Sequence, residues 1–328
     1  MDKLTAALSK MARLELATLP TPLHRMKNFE DELGVSQIYI KRDDMTGLGP
    51  GGNKIRSLEF LLGEALRKNC DTILVAGPLQ SNLCTLTACA CAKARLRCVT
   101  VHNGAEPKEH RGNLLLNRLL DVDAHYIGDV SSEIRSQYTR NLAKELQSQE
   151  KVPYIIENGG TSGIGALGYV SACVELRKQV NEQGLQVHTI FAPGGNGGVA
   201  TGLIYGNALL GMPFEIVIIS VESDSASLKN NISSTIAQVE QTLGLPFNRR
   251  LEETCQIVDS YRGEGWGVNT RESERFVHRL PRMEGIFVEN VYTSKVLVGM
   301  EDFIRKKYVK KGACYLHTGG GGALFGQY

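Results

Sequence analysis

The sequence contains no long apolar run and carries almost no net charge. No stretch reaches the roughly 18 consecutive apolar residues that a membrane-spanning helix needs, so we expect no membrane association. Lysine and arginine number 37 and aspartate and glutamate 35, which leaves a formal net charge of +2. Because nucleic-acid-binding surfaces depend on a concentrated excess of basic residues, this balance argues against nucleic acid as a partner.

The eight cysteines lack the C-x-x-C spacing of metal and redox motifs, and five of them are scattered singly. Cys84, Cys89 and Cys91 lie in a segment rich in alanine, threonine and leucine, which indicates a buried helix. Unpaired buried thiols are typical of proteins in a reducing compartment. Charges at Lys10 and Arg13 interrupt any apolar secretory segment near the start. We therefore predict a cytoplasmic protein and expect no metal site.

What the sequence does contain is a regular alternation of strand and helix patterns. Helical periodicity is clearest in residues 53–68 and 83–94, and the strands are short apolar runs rather than alternating ones. This pattern is typical of α/β proteins with parallel sheets covered by helices on both faces. The predicted strands are residues 38–41, 72–76, 98–102, 124–127, 154–156, 189–192, 215–221 and 314–317.

Three glycine-bearing turns follow predicted strands, at residues 159–163, 194–198 and 319–322. Ligand sites in parallel sheets gather outside the carboxyl ends of the strands. We therefore expect the three turns to lie on one sheet edge and to form a ligand cleft there.

Lys54 follows Gly51, Gly52 and Asn53, and it lies 140 residues before the glycine-rich turn at 194–198. Because glycine has no Cβ, the backbone at such places can approach a flat ligand closely. The lysine can supply an amine for an imine. The turn, which follows a strand and opens a helix, can hold a phosphate with its N–H groups. Pyridoxal phosphate requires both groups at once.

Two other interpretations remain open at this point. Lys54 could be a solvated residue at the start of a helix. The turn could instead bind a dinucleotide, in which case an acidic residue about 20 positions on should hold a ribose hydroxyl. Glu222 lies near that distance. Neither Lys54 nor the loop formed by Gln80, Ser81 and Asn82 has a role in a dinucleotide site.

Six motifs in order along the chain carry a resemblance to a known family. They are Lys41-Arg42-Asp43-Asp44, Gly51-Gly52-Asn53-Lys54-x-Arg56, Gln80-Ser81-Asn82, Gly165-Ala166-Leu167-Gly168-Tyr169-Val170, Val291-Tyr292-Thr293-x-Lys295 and His317-Thr318-Gly319-Gly320. The sequence resembles the family of D-cysteine desulfhydrase and 1-aminocyclopropane-1-carboxylate deaminase, which are fold-type II pyridoxal phosphate enzymes similar in fold to the β subunit of tryptophan synthase.

The resemblance implies two α/β domains with parallel, twisted sheets covered by helices. Residues 1–52 and 165–328 would form a large domain that binds pyridoxal 5'-phosphate, and residues 53–164 a small one, with the cofactor in the cleft between them. It also implies a small amino acid as substrate and a homodimer as the assembly.

The resemblance further assigns roles to individual residues. Lys54 would form the imine with the cofactor and move protons at the substrate Cα, and Asn82 would donate to the cofactor's phenolic oxygen. The implied catalytic residues are Lys54, Tyr292 and Ser81. The implied cofactor-binding residues are Lys54, Asn82, Gly195, Asn196, Gly197, Gly198, Val199, Thr293 and Thr318. The implied substrate-binding residues are Ser81, Asn82, Leu83, Trp266 and Tyr292. Alternatively, Tyr292 could be a packed aromatic and Asn82 a helix cap.

Thr293 distinguishes between reactions within the family. It falls where the deaminase has a glutamate that faces the pyridine nitrogen, and a hydroxyl cannot supply that full charge. A weaker electron sink suffices when a thiolate leaves Cβ, so Thr293 favours D-cysteine desulfhydration. Leu83 and Trp266 depart from the family pattern and put the substrate in doubt. Other β-substituted amino-acid lyases such as a cysteate sulfo-lyase, the deaminase, a racemase and a non-catalytic cofactor-binding protein stay open as alternatives.

Overall fold

The structure is a computed structural model that describes residues 3–309 and 312–327. Strands and helices alternate along this part of the chain. The strands are β1 (Leu23–Arg25), β2 (Ile38–Arg42), β3 (Thr72–Pro78), β4 (Arg97–Asn103), β5 (Asp123–Tyr126), β6 (Pro153–Ile156), β7 (Thr189–Gly194), β8 (Glu215–Ser220), β9 (Gln256–Val258) and β10 (Ala313–His317). The helices are α1 (Lys3–Leu8), α2 (Lys27–Leu33), α3 (Lys54–Arg67), α4 (Asn82–Ala94), α5 (Gly112–Leu119), α6 (Ser132–Ser148), α7 (Gly163–Glu182), α8 (Gly198–Leu209), α9 (Ser225–Leu243), α10 (Arg271–Glu284), α11 (Thr293–Arg305) and α12 (Gly321–Gln327).

The strands form two separate sheets. The larger sheet has the order β1-β2-β10-β7-β8-β9, in which only the β1–β2 pair is antiparallel. The smaller sheet has the order β5-β4-β3-β6 and is parallel throughout. Parallel strands need crossover connections, and helices supply them here. The predicted α/β class, with parallel sheets covered by helices, is confirmed.

The core is divided between the two faces of the larger sheet and the smaller sheet. One cluster packs α7, α8 and α9 against the larger sheet, and a second packs α2, α10 and α11 on its other face. A third cluster joins α3 and α4 to strands β3 and β6 of the smaller sheet. Because both faces of β3, β7 and β10 are covered, their sequences are continuously apolar.

Every strand predicted from the sequence is present, but β1 and β9 were not predicted. Each is only three residues long and lies at an edge of the larger sheet. Neither has an apolar run, since two of the three residues in β1 are exposed and none in β9 is fully buried. Such edge strands leave no periodic signal in a sequence.

The expectation that the three glycine turns share one edge is wrong. The turn at 159–163 follows β6 in the smaller sheet, whereas those at 194–198 and 319–322 follow β7 and β10 in the larger one. The cleft therefore lies where the carboxyl ends of two sheets meet. The division into residues 1–52 with 165–328 and 53–164 stays a prediction. Within the described residues no helix has both the length and the apolar character to cross a membrane.

Candidate active site

Lys54 is the first residue of α3, and the loop before it is pinned to the turn after β10. Gly52 forms a β-bridge with Gly319, and the backbone N–H of Asn53 donates to the carbonyl oxygen of Thr318 at 2.9 Å. A Cβ at Gly319 would lie 2.7 Å from the Cα of Gly52, so only glycine permits this approach. The loop that carries Lys54 is thereby held against the larger sheet.

A buried ion network holds the other side of this helix start. The guanidinium of Arg56 forms a bidentate pair with Asp43, with Nε–Oδ2 and Nη2–Oδ1 both 2.8 Å, and Nη2 also contacts Oε1 of Glu175 at 2.9 Å. Lys41 pairs with the same Glu175, and the Tyr169 hydroxyl donates to Asp43 at 2.7 Å. Lys41, Asp43 and Arg56 are therefore engaged with one another and with Glu175, and they position the helix start that carries Lys54.

The amine of Lys54 lies at the junction of the two sheets. Its Nζ donates to the carbonyl oxygen of Gly159 at 2.7 Å. A Cβ at Gly159 would lie 3.4 Å from that Nζ and 2.9 Å from Nδ2 of Asn196, so the lysine and the glycine turn after β7 meet at one point. Burial lowers the pKa of Lys54 to about 8, although the nearby Glu222 carboxylate raises it. A solvated lysine would have neither this location nor this pKa.

The turn after β7 ends in a free helix N-terminus. Gly197 has φ of +101° and immediately precedes α8, whose first N–H groups at Gly198 and Val199 have no carbonyl partner within the helix. A Cβ at Gly198 would lie 3.0 Å from the Thr161 hydroxyl oxygen, so this N-terminus faces the turn after β6. Such a terminus favours an anion. A buried amine and an anion site on facing turns fit the aldehyde and phosphate of pyridoxal phosphate.

The Gln80-Ser81-Asn82 loop follows β3 and opens α4. The hydroxyl of Ser81 accepts from the N–H of Cys84 at 3.3 Å and caps the helix. The alternative role of Asn82 as that cap is therefore wrong. The Oδ1 of Asn82 instead accepts from Nδ2 of Asn113 at 2.8 Å. Leu83 is only 3% exposed and belongs to the core of the smaller sheet, so its predicted contact with substrate stays a prediction.

Tyr292 and Trp266 form a hydrogen-bonded pair. The indole N–H of Trp266 donates to the Tyr292 hydroxyl oxygen at 2.7 Å, and 42% of the Trp266 side chain is exposed. Burial raises the pKa of Tyr292 well above its usual value. The loop that carries Trp266 is held by Lys295, whose Nζ donates to the carbonyl oxygens of Arg262 at 2.6 Å and Gly265 at 3.0 Å.

Tyr292 also packs against the glycine turn. A Cβ at Gly195 would lie 3.3 Å from Cε1 of Tyr292 and 3.4 Å from Oε2 of Glu222. Burial raises the pKa of Glu222, and its charge acts on both Lys54 and Tyr292. The structure therefore brings Lys54, Tyr292 and the glycine turn together in one cleft. Glu222 lies in the same cleft. From the sequence Glu222 was considered only as a ribose ligand.

Thr293 is fully engaged with Glu289. Its hydroxyl donates to Oε1 of Glu289 at 2.9 Å and accepts from the Glu289 N–H at 2.8 Å. The Glu289 carboxylate also accepts from the backbone N–H groups of Val291, Tyr292 and Thr293, at the start of α11. Burial raises the pKa of Glu289. Its charge is thus directed to a helix N-terminus, and the Thr293 hydroxyl adds no charge of its own.

Comparison with known proteins identifies the family. The model of a family described as "Pyridoxal-phosphate dependent enzyme" matches residues 14–319. The chain belongs to this family. A "Putative 1-aminocyclopropane-1-carboxylate deaminase" of Pyrococcus abyssi is 36% identical over 324 residues, which cover 98% of this chain and 96% of that protein. A D-cysteine desulfhydrase of Klebsiella pneumoniae is 33% identical over 328 residues, or 98% of each chain.

A solved structure agrees with these relatives. A crystal structure described as an ACC deaminase homologue superposes with a TM-score of 0.91 at 33% identity and covers 99% of this chain and 97% of its own. The protein is therefore a fold-type II enzyme of the 1-aminocyclopropane-1-carboxylate deaminase and D-cysteine desulfhydrase type, and its cofactor is pyridoxal phosphate. The dinucleotide interpretation of the glycine turn is excluded by this assignment.

Proposed function

We propose that the protein catalyses α,β-elimination from a small β-substituted amino acid, with D-cysteine converted to pyruvate, sulfide and ammonia. The observation that supports this choice is the engagement of Thr293 with Glu289. A reaction that depends on strong electron withdrawal requires a ring nitrogen that a nearby charge keeps protonated. The Glu289 carboxylate beside Thr293 is instead taken up by backbone N–H groups. When a thiolate leaves Cβ soon after Cα loses its proton, less stabilisation by the ring is needed.

The residues of the cleft divide the chemistry among them. When bound, pyridoxal phosphate supplies an aldehyde that captures the substrate amine and a ring that withdraws electrons from Cα. Lys54, with a pKa of about 8, has an appreciable neutral fraction near neutral pH and accepts the Cα proton. Ser81 receives the substrate carboxylate. Tyr292 would lie beside the reacting carbon, and the indole N–H of Trp266 orients its hydroxyl.

Binding of the cofactor is assigned to three places. Asn82 would donate to the phenolic oxygen, and Thr293 and Thr318 would lie on the ring side of the cleft. The phosphate is bound by the backbone of the turn after β7 and the start of α8. The residues assigned to the phosphate are Gly195, Asn196, Gly197, Gly198 and Val199. The homodimer and the cytoplasmic location expected from the sequence belong to the same proposal.

Ring opening of 1-aminocyclopropane-1-carboxylate is the second candidate, because relatives that match nearly the whole chain carry that name. A substrate panel separates the candidates. Purified holoenzyme is given D-cysteine, L-cysteine, D-cysteate and 1-aminocyclopropane-1-carboxylate, and sulfide, sulfite, 2-oxo acids and inversion are measured. We expect pyruvate and sulfide from D-cysteine and little 2-oxobutanoate. Rapid 2-oxobutanoate release, or sulfite or inversion without sulfide, would assign the protein to the corresponding alternative.

The panel needs a control for contaminating enzymes. The Lys54→Ala variant, prepared in the same way, should release no sulfide from D-cysteine, because the amine that moves the proton is absent. Sulfide release at the wild-type rate from this variant would show that the activity does not arise in the cleft described above.

A further inference from the structure

We infer that Asn113, on α5, is a positioning residue that turns the side-chain amide NH2 group of Asn82 toward the phenolic oxygen of the cofactor. The inference rests on the proposed function, which assigns Asn82 to that oxygen. Asn113 belongs to none of the family motifs described above, and its side chain is completely buried. It lies on α5, two helices after the one that begins at Lys54, and it contacts the site through its hydrogen bonds to Gln80 and Asn82.

The orientation of Asn82 follows from a chain of hydrogen bonds that begins at a backbone carbonyl. The Nδ2 of Asn113 donates to the carbonyl oxygen of Gln80 at 3.0 Å. A backbone carbonyl only accepts, so this contact determines which end of the Asn113 amide faces the loop. The same Nδ2 donates to Asn82 at 2.8 Å, and the partner atom must therefore be Oδ1. The two side-chain N–H groups of Asn82 then point away from α5.

The rest of the Asn113 amide shows that this orientation is imposed. Its own Oδ1 is buried and has no hydrogen-bond partner among the described residues, which costs folding free energy. A Cβ at Gly322 would lie 2.2 Å from that oxygen, so α12 closes over it. The backbone N–H of Asn113 also donates to Oε1 of Gln80 at 2.9 Å, which ties the start of α5 to the same loop.

The consequence concerns the colour of the bound cofactor. Among the described residues, none accepts a hydrogen bond from Nδ2 of Asn82, so this donor is available to a ligand. A donor at the phenolic oxygen stabilises the ionised form of the lysine–pyridoxal imine, which absorbs visible light. An acceptor at the same place would favour the form whose phenolic oxygen is protonated, which absorbs in the near ultraviolet. The direction in which Asn82 points therefore sets the ratio of the two bands.

The experiment compares two substitutions of Asn113 with a control on the same helix. Asn117 is also buried on α5, and its Oδ1 accepts from the Thr85 hydroxyl at 2.7 Å rather than contacting the loop. In Asn113→Asp the carboxylate cannot donate to Gln80, and Asn82 rotates to donate to it, which presents Oδ1 to the cofactor. In Asn113→Ala the side chain of Asn82 only loses the hydrogen bond that orients it. Asn117→Ala and Asn117→Asp are the matched controls.

We expect the ratio of near-ultraviolet to visible absorbance to rise in the order Asn117→Ala, Asn113→Ala, Asn113→Asp. Loss of a hydrogen bond to a charged oxygen should also weaken pyridoxal phosphate binding roughly tenfold in Asn113→Asp. In Asn82→Ala the band ratio should be shifted already, and adding Asn113→Ala should shift it no further, because Asn113 acts through Asn82.

Two results overturn the inference. One is that the wild-type enzyme shows the visible band, but the Asn113 variants match their Asn117 controls in band ratio and cofactor affinity. The other is an equal, additive shift in the double variant. If Asn113→Ala does not fold, Asn113→Asp against Asn117→Asp decides by the same criteria. A wild-type protein without any visible imine band would instead overturn the proposed function itself.

Discussion

Replacing Arg56 by methionine should remove several times more folding free energy than the same substitution elsewhere in α3. The guanidinium makes two contacts of 2.8 Å with Asp43 and two with Glu175, at 2.9 and 3.1 Å. Asp43 is fully buried, and Glu175 is 13% exposed. Without Arg56 the two carboxylates retain Lys41 as their cationic partner. Removing one partner of a buried ion pair costs about 3–5 kcal/mol.

The matched control is Arg67→Met, eleven residues further along the chain, at the last position of the same helix. Arg67 pairs with Glu64, but its side chain is 62% exposed, so solvent screens the pair and its loss should change the free energy of unfolding little. Arginine and methionine have similar helix propensities, so the two substitutions differ mainly in the ion pair that they remove. Urea unfolding of both apoenzyme variants, followed by circular dichroism, gives the two free energies of unfolding.

The pH dependence of this cost has a definite sign. Burial would raise the pKa of Asp43, but Arg56, together with Lys41 and Tyr169, holds that pKa below the usual value. The wild-type carboxylate therefore stabilises the fold at neutral pH, and this contribution is lost as the pH falls through the folded pKa. In Arg56→Met the pKa of Asp43 rises and the group takes up a proton sooner. The free-energy cost of Arg56→Met should shrink at mildly acidic pH. Equal costs for the two variants, or a cost that grows as the pH falls, would contradict this prediction.

Three further predictions concern the cleft. Lys295→Met should free the loop that carries Trp266 and raise the KM for substrate with little change in cofactor affinity; a loss of cofactor alone would contradict this. Trp266→Tyr should change substrate preference more than cofactor binding, measured as kcat/KM across the panel and Kd for pyridoxal phosphate, and equal changes in both would count against it. Glu222→Gln should lower the pKa of Lys54 below about 8, because the carboxylate raises it. At pH 7 an amine with a pKa of about 8 is about one-tenth neutral, so a lower pKa can raise the neutral fraction by up to about tenfold. Imine formation with pyridoxal phosphate, followed by stopped-flow absorbance, should accelerate by up to the same factor; a slower reaction in Glu222→Gln would contradict this prediction.

The sequence predicts strands such as β3 and β7 well, because each is a largely apolar run that only a covered sheet tolerates. The arrangement of the glycine turns was mispredicted because nothing in the pattern shows that β6 belongs to a different sheet from β7 and β10. The role of Gly168 was also invisible, although a Cβ there would lie 2.4 Å from the backbone of Arg56 and separate α7 from α3. Contacts between distant helices leave no local periodicity.

The candidate site was predicted at the residues that carry distinctive chemistry in short motifs, such as Lys54 and Tyr292. It was missed where a residue acts through another. Lys295 is part of a motif, yet its bonds to two carbonyl oxygens of the Trp266 loop depend on a chain separation of 30 residues or more. Asn113 and Glu289 are ordinary polar residues in the sequence, and only their hydrogen bonds distinguish them.

The most direct test of the account is to locate the lysine that binds the cofactor. Holoenzyme is reduced with borohydride, digested, and the pyridoxyl-labelled peptide identified by mass spectrometry. The account predicts the label on Lys54, whose amine lies beside the glycine turn. Label on Lys295, the buried lysine behind Tyr292, or no label on any lysine of a coloured enzyme, would contradict it.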